Sequence, residues 1–60
     1  MDEMTVTLRV TDMLSDRVLW VTVLVEDSPR GLNESRNLGH HMGTAMGVMV
    51  DRVDVHLVEL

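Results

Sequence analysis

Hydrophobic and polar residues alternate along two segments of this chain, one near its beginning and one at its end. In "MTVTLRVT", residues 4–11, every second residue is apolar, and the residues between them are threonines and one arginine. Residues 50–60 alternate in a similar way, with Asp54, His56 and Val58 on one side. A period of two is typical of a β-strand with one buried face. The pattern therefore predicts a first strand over residues 4–11 and a last strand over about residues 50–60.

The segment between them, about residues 17–26, predicts a strand of a different kind, because both of its sides are apolar. One side carries Leu19, Val21, Val23 and Val25, and the other carries Val18, Trp20, Thr22 and Leu24. A strand that is apolar on both faces is usually covered on both faces. This favours a central position for the second strand, in the order 1-2-3, although the sequence leaves open whether the third strand lies beside the second or the first.

Turn and helix signals separate the three strands. The polar stretch "DMLSDR", residues 12–17, is typical of a hairpin loop, because short Asp and Ser side chains hydrogen-bond to their own backbone. Ser28 followed by Pro29 is a helix start, with serine as the N-cap and proline in the first turn. The helix is predicted to run from about Pro29 or Asn33 to about Met49. Its amphipathic stripe consists of Leu38, Met42, Ala45, Met46 and Met49.

These elements predict one α+β domain over residues 1–60, in the order strand-strand-helix-strand. We expect a three-stranded mixed sheet with one helix packed on one face. The first two strands form an antiparallel hairpin, and the helix returns the third strand parallel to the second.

Length, composition and charge restrict what such a domain does. A chain of 60 residues buries only about 60% of the surface that its unfolded form exposes, so it often needs support from disulfides, metals or oligomerisation. There is no cysteine, so oligomerisation is the leading candidate. The net charge is −5, and the five arginines are scattered, which argues against nucleic-acid binding. The acidic start and the short apolar runs predict neither a signal peptide nor a membrane span, and hence a cytoplasmic protein.

Three glycines recur every fourth residue within the predicted helix, at Gly39, Gly43 and Gly47. Each costs about 1 kcal/mol relative to alanine in a helix interior, so the spacing calls for a compensating contact. A row without side chains lets another backbone approach closely. The neighbour is either the sheet of the same chain or a helix of another subunit or partner. A third alternative is that the segment is not a regular helix.

Trp20 is the only aromatic residue of the chain. If the side of the second strand that carries Leu19 faces the helix, Trp20 lies on the opposite face with Val18 and Leu24, and with Val58 and Leu60. An apolar patch of this kind usually marks an interface, and tryptophan is enriched in binding hot spots. The alternative is that Trp20 faces the helix and closes the core. We predict an interface formed by Val18, Trp20, Leu24, Gly39, Gly43 and Gly47.

Catalytic and metal-binding patterns are weak. His40 and His41 diverge on a helix, and no histidine lies four residues from another, so we predict no metal site. There is no Cys, Lys or Tyr, and no glycine-rich phosphate loop follows a strand. We therefore predict neither a cofactor nor an enzyme.

Three functional hypotheses follow. The first is a non-enzymatic interaction or regulatory protein that acts as a homo-oligomer. The second is an acidic inhibitor, of the kind that phages encode, which binds the basic surface of a host nucleic-acid-binding protein. The third is a small oligomeric enzyme or ligand carrier with an intersubunit site. The acidic residues are dispersed along the sequence, which favours the first hypothesis.

Overall fold

The computed structural model describes residues 2–57 and contains three strands and one helix. The elements are β1 (Glu3–Asp12), β2 (Val18–Glu26), α1 (Pro29–Ala45) and β3 (Val50–Leu57). The predicted α+β class and the order strand-strand-helix-strand are confirmed. The helix packs on one face of the sheet. The predicted end of the last strand, residues 58–60, lies outside the described residues.

The predicted strand order is wrong, because β1 and not β2 is the central strand. The sheet order is β2-β1-β3, and both pairs of neighbours are antiparallel. The sheet is therefore not mixed, although β2 and β3 run in the same direction on either side of β1. Burial explains the order, since Val6, Leu8 and Val10 of β1 are completely buried beneath the helix. The polar residues of β1 occur on its other face, where no helix covers them.

The hairpin loop forms as its sequence predicts. The carboxylate Oδ1 of Asp12 accepts a hydrogen bond from the Leu14 N–H at 2.9 Å, and the hydroxyl of Ser15 accepts one from the Arg17 N–H at 3.3 Å. These short polar side chains satisfy backbone donors that no strand partner reaches.

The helix begins at the predicted residues and ends earlier than predicted. The Ser28 hydroxyl accepts a hydrogen bond from the Gly31 N–H at 3.1 Å, and Pro29 occupies the first turn. The helix ends at Ala45 because Gly47 adopts a φ of +81°, a left-handed conformation that glycine adopts without strain.

Two hydrogen bonds close the C-terminal turn. The Gly47 N–H donates to the Thr44 carbonyl at 3.0 Å, and the Val48 N–H donates to the Gly43 carbonyl at 2.9 Å. This pair of bonds defines a Schellman motif, in which the left-handed glycine ends the helix. Gly47 is therefore a helix-terminating residue and lies outside the helical row of glycines.

A row of small residues, and not the predicted apolar stripe, faces the sheet. The buried residues of α1 recur every fourth position: Gly31, Ser35, Gly39 and Gly43. The predicted stripe is wrong, because Leu38 and Met46 of that stripe are 40% and 66% exposed. The helix lies too close to the sheet for larger side chains. A Cβ atom built on Gly39 would lie 2.7 Å from Val53 Cγ1, inside van der Waals contact.

Candidate interaction surface

The face of the sheet opposite the helix is open, and we refer to it as the helix-free face. Side chains alternate between the two faces of a strand, and those next to the buried core residues of β1 point away from the helix. From β1 the helix-free face carries threonines and one arginine, from β2 mostly apolar side chains, and from β3 charged or polar ones. Its members are Thr5, Thr7, Arg9, Thr11, Val18, Trp20, Thr22, Leu24, Arg52, Asp54 and His56.

Trp20 is the largest side chain on this face. It is 60% exposed and lies opposite Arg9 in the register of β1 and β2. Its ring centroid is 6.3 Å from that of His56, with the ring planes tilted by 44°. His56 belongs to the far strand, so the indole extends across β1 toward β3.

Leu24 and Val18 flank Trp20 along β2. Leu24 is 62% exposed and lies opposite Thr5, and Val18 is half-buried opposite Thr11. The other side of β2 packs against the core through Leu19, Val21, Val23 and Val25. The sequence alternative in which Trp20 closes the core is therefore wrong.

Charged groups on the helix-free face largely balance one another. Asp54 lies between two arginines, with its carboxylate 3.8 Å from the Arg9 guanidinium and 3.4 Å from that of Arg52. These side chains are partly exposed, so each pair contributes little to stability. Beside them, the hydroxyls of Thr7 and Thr22 lie 3.5 Å apart. Trp20 and Leu24 thus project from surroundings of low net charge, which suits burial in a contact better than a strongly charged rim does.

The glycines predicted to belong to the interface lie elsewhere. Gly39 and Gly43 are buried against strands of their own chain, on the opposite side of the sheet from Trp20. Gly47 is exposed in the turn after the helix. The contact with the chain's own sheet accounts for the spacing of Gly39 and Gly43. The helix-free face therefore remains as the candidate surface.

Sequence reasoning missed the other two members of the small row, Gly31 and Ser35. Extending the four-residue spacing from Gly39 toward the N-terminus finds both, whereas extending it toward the C-terminus meets the helix-ending Gly47. Ser35 is completely buried, and its hydroxyl donates to the Leu32 carbonyl at 2.6 Å. A serine fits this row because its only polar group is satisfied within the helix.

A second group of exposed apolar side chains lies at the end of the molecule that carries the hairpin loop. The Met13 N–H donates to the Met49 carbonyl at 2.8 Å, which ties the loop to the segment before β3. The exposed side chains here are those of Met13, Leu14, Met46 and Met49. A depression of about 170 Å³ lies beside them, lined in part by Asp12, Arg17 and Met46. It brings together no pair of nucleophile and base.

The remaining chemistry of the described residues is sparse. His40 and His41 lie on the exposed side of the helix, away from His56. Within residues 2–57, no three His, Asp or Glu side chains are placed to share a metal ion. Over the same residues, no helix has the length and apolar character needed to cross a membrane. Comparison with models of protein families, with curated proteins and with solved structures finds no match.

Proposed function

We propose that this protein is a small, acidic, non-enzymatic interaction protein that acts as a homo-oligomer, with the helix-free face as part of its contact surface. The observation that carries the proposal is the exposure of Trp20 and Leu24 on one face of one strand. Exposed aromatic and aliphatic side chains that share one face commonly mark a protein interface, and tryptophan is enriched among the residues that contribute most to binding.

The small core supports the same proposal. Among the described residues, only four hydrophobic side chains are buried, namely Val6, Leu8, Val10 and Val53. A domain of this size has little core of its own, and association is a common way to add buried area. No cysteine is present to form a disulfide instead.

The net charge of −5 favours a second candidate function, the inhibition of a basic host protein. In the structure, Glu3 lies opposite Glu26, and the Asp27 N–H donates to the Asp2 carbonyl, so four acidic residues meet at one end of the sheet. The charges around Trp20 are balanced, so an acidic inhibitor would use this end and not the centre of the helix-free face.

The proposal is tested by sedimentation velocity over a range of micromolar concentrations. We expect the native chain to associate, and Trp20→Thr to weaken association by about tenfold or more, because tryptophan is a frequent hot-spot residue. Leu14→Thr is the matched control, since it removes another exposed apolar side chain, in the hairpin loop. A native chain that stays a folded monomer at every concentration would refute the homo-oligomer.

A further inference from the structure

The free edge of β2 presents an uninterrupted row of backbone donors and acceptors. The Asp12 N–H donates to the Arg17 carbonyl at 3.1 Å, and the Asp27 N–H donates to the Asp2 carbonyl at 3.0 Å, so the ladder with β1 continues past both ends of β2. Hydrogen-bonding direction alternates along an antiparallel strand. The backbone groups of Val18, Trp20, Thr22 and Leu24 therefore point away from β1, toward the open edge.

The two edges of the sheet differ in how they are protected. From Val18 to Val25, β2 has no charged residue, no proline and no glycine. The outer strand β3 carries Asp51, Arg52 and Asp54 within its eight residues. Charged side chains on an edge strand discourage pairing with another chain, and their absence leaves a long apolar edge available for it. The charges on β3 thus disfavour pairing with another chain at that edge, and β2 has no such protection.

We propose that two copies of this chain pair through β2, antiparallel, about a twofold axis at Thr22. The result is one continuous six-stranded sheet in the order β3-β1-β2-β2-β1-β3. This inference rests on the proposed function, because it specifies how the homo-oligomer forms. The occupant of the open edge is a second copy, because β2 and its flanking residues complement their own copy in one register.

Centring the pair at Thr22 aligns β2 with its copy over its whole length, since Thr22 is the middle residue of Val18–Glu26. The outward-pointing backbone groups then face each other, and the three central pairs form about six hydrogen bonds. Trp20 lies opposite the partner's Leu24, on the same side of the sheet. The two most exposed apolar side chains of the helix-free face thereby cover each other.

The charges at the two ends of β2 match only in this register. Arg17 precedes β2, Asp27 follows it, both are exposed, and neither forms an ion pair with another residue of the described chain. With Thr22 on the axis, Arg17 lies opposite the partner's Asp27. Asp27 in its own chain lies opposite Asp2, since its N–H donates to the Asp2 carbonyl and continues the register of the hairpin. Like charges directly opposite each other are unfavourable, and an arginine beside them offsets their repulsion.

Neighbouring registers lose these matches. A shift in one direction places Val21 on the axis and brings Asp16 opposite the partner's Glu26, which sets two carboxylates against each other. A shift in the other direction places Val23 on the axis and brings Trp20 opposite the partner's Glu26, which sets an apolar ring against a charge. Register is well specified when such mismatches accompany a slip.

The pairing also explains why β2 is apolar on both sides although it is an edge strand. The residues that face the helix, Leu19, Val21, Val23 and Val25, are only half-buried in the single chain. In the paired sheet they lie beside their copies, and β2 becomes an inner strand. The sequence pattern of a central strand is then correct for the assembly.

The first test is cross-linking through introduced cysteines, which is clean because the chain has none of its own. In the proposed pair the two Thr22 Cα atoms lie about 5.5 Å apart, within the range for a disulfide. The two Leu24 Cα atoms lie about 14 Å apart. We expect Thr22→Cys to form a covalent dimer on mild oxidation and Leu24→Cys, the matched control, to remain monomeric on a non-reducing gel. Equal cross-linking of both variants would overturn the inference.

The second test exchanges the end charges. Arg17→Asp and Asp27→Arg each place like charges at both ends of the pair, so each variant alone should associate at least about tenfold more weakly than the native chain. In an equimolar mixture the introduced aspartate of one variant would face the introduced arginine of the other, and we expect heterodimers to recover the native affinity. A mixture that behaves as the average of its two components contradicts the register.

The outcomes separate the inference from the proposed function. If the native chain sediments as an oligomer but Thr22→Cys cross-links no faster than Leu24→Cys, the β2 pairing is wrong and the homo-oligomer stands. If the native chain is a monomer at all concentrations, the homo-oligomer fails and the pairing with it.

Discussion

On the helix-covered face of the sheet, Val6, Leu8 and Val10 of β1 are completely buried, and the buried residues of the helix above them are only glycines and one serine. On the helix-free face, Trp20 and Leu24 are both more than half exposed, and no element of the described chain lies over them. The first face is covered because the helix residues above it have small side chains or none, so the helix backbone lies close to the sheet. The second face carries large apolar side chains without a cover. The chain thus buries one face of its sheet by itself and leaves the other face exposed.

This difference leads to a prediction about stability. Adding atoms to the row of small helix residues should lower the free energy of unfolding much more than removing atoms from the helix-free face does. The most sensitive position of the row is Gly31, where an added Cβ atom would collide with the backbone carbonyl of Glu26. A backbone obstacle moves only if the chain between β2 and α1 rearranges. We expect Gly31→Ala to lower the free energy of unfolding by about 3 kcal/mol, the upper end of the usual cost of overpacking.

Chemical denaturation followed by circular dichroism measures this effect. The matched control is Asn33→Ala, which introduces the same residue at an exposed position of the same helix. Helix propensity should make the control slightly more stable, by a few tenths of a kcal/mol. A Gly31→Ala variant as stable as its control would show that the helix does not approach the sheet at this end, and the contrast between the two faces would lose its basis.

Gly43→Ala should have a smaller effect of the same sign. The added Cβ would lie 2.7 Å from Val50 Cγ2 and 3.0 Å from Val10 Cγ1, so its obstacles are side chains and not backbone. The clash costs about 1–3 kcal/mol, and alanine recovers about 1 kcal/mol of helix propensity. We expect a net loss of about 1 kcal/mol in the free energy of unfolding.

The double variant Gly43→Ala, Val50→Ala tests whether the Val50 side chain is what the added Cβ of residue 43 collides with. Because Val50→Ala removes the closest atom, the cost of Gly43→Ala should shrink or reverse in that background, which a double-mutant cycle measures. The loss should also be the same at low and high protein concentration, since the contact lies within one chain. If Gly43→Ala stabilises the protein, the four-residue spacing is incidental at this position.

The sequence predicted the elements and several of their ends, because those depend on neighbouring residues. The N-cap at Ser28 and the turn residues Asp12 and Ser15 need only local hydrogen bonds, and they occur where predicted. The strand order depends on which face the helix covers, and that is a property of the whole fold. Apolar residues on both sides of β2 predicted a covered central strand, whereas within the described chain β2 is an edge strand and one of its faces is exposed.

The helix face was mispredicted for a related reason. Hydrophobic periodicity identifies the side with the most apolar side chains, which here includes Leu38 and Met46, both exposed in the described chain. The side that packs was selected by size, since only Gly and Ser fit the narrow gap above the sheet. A periodicity of small residues is as informative as one of large residues when a helix lies close to its neighbour. For the candidate surface, alternation placed Trp20 and Leu19 on opposite sides of β2, and the structure shows that the side with Leu19 packs on the core.

The smallest expected effect is that of Trp20→Thr on the stability of the single chain. Trp20 is 60% exposed and contributes nothing to the buried core, and threonine suits a strand, so the free energy of unfolding should change by no more than about 0.5 kcal/mol. The measurement is made by denaturation at a protein concentration low enough for the chain to be dissociated. A loss comparable to that of Gly31→Ala would mean that the indole, through its contact with His56, holds the outer strands together within one chain. The helix-free face would then be structural, and its exposed tryptophan would no longer argue for a partner.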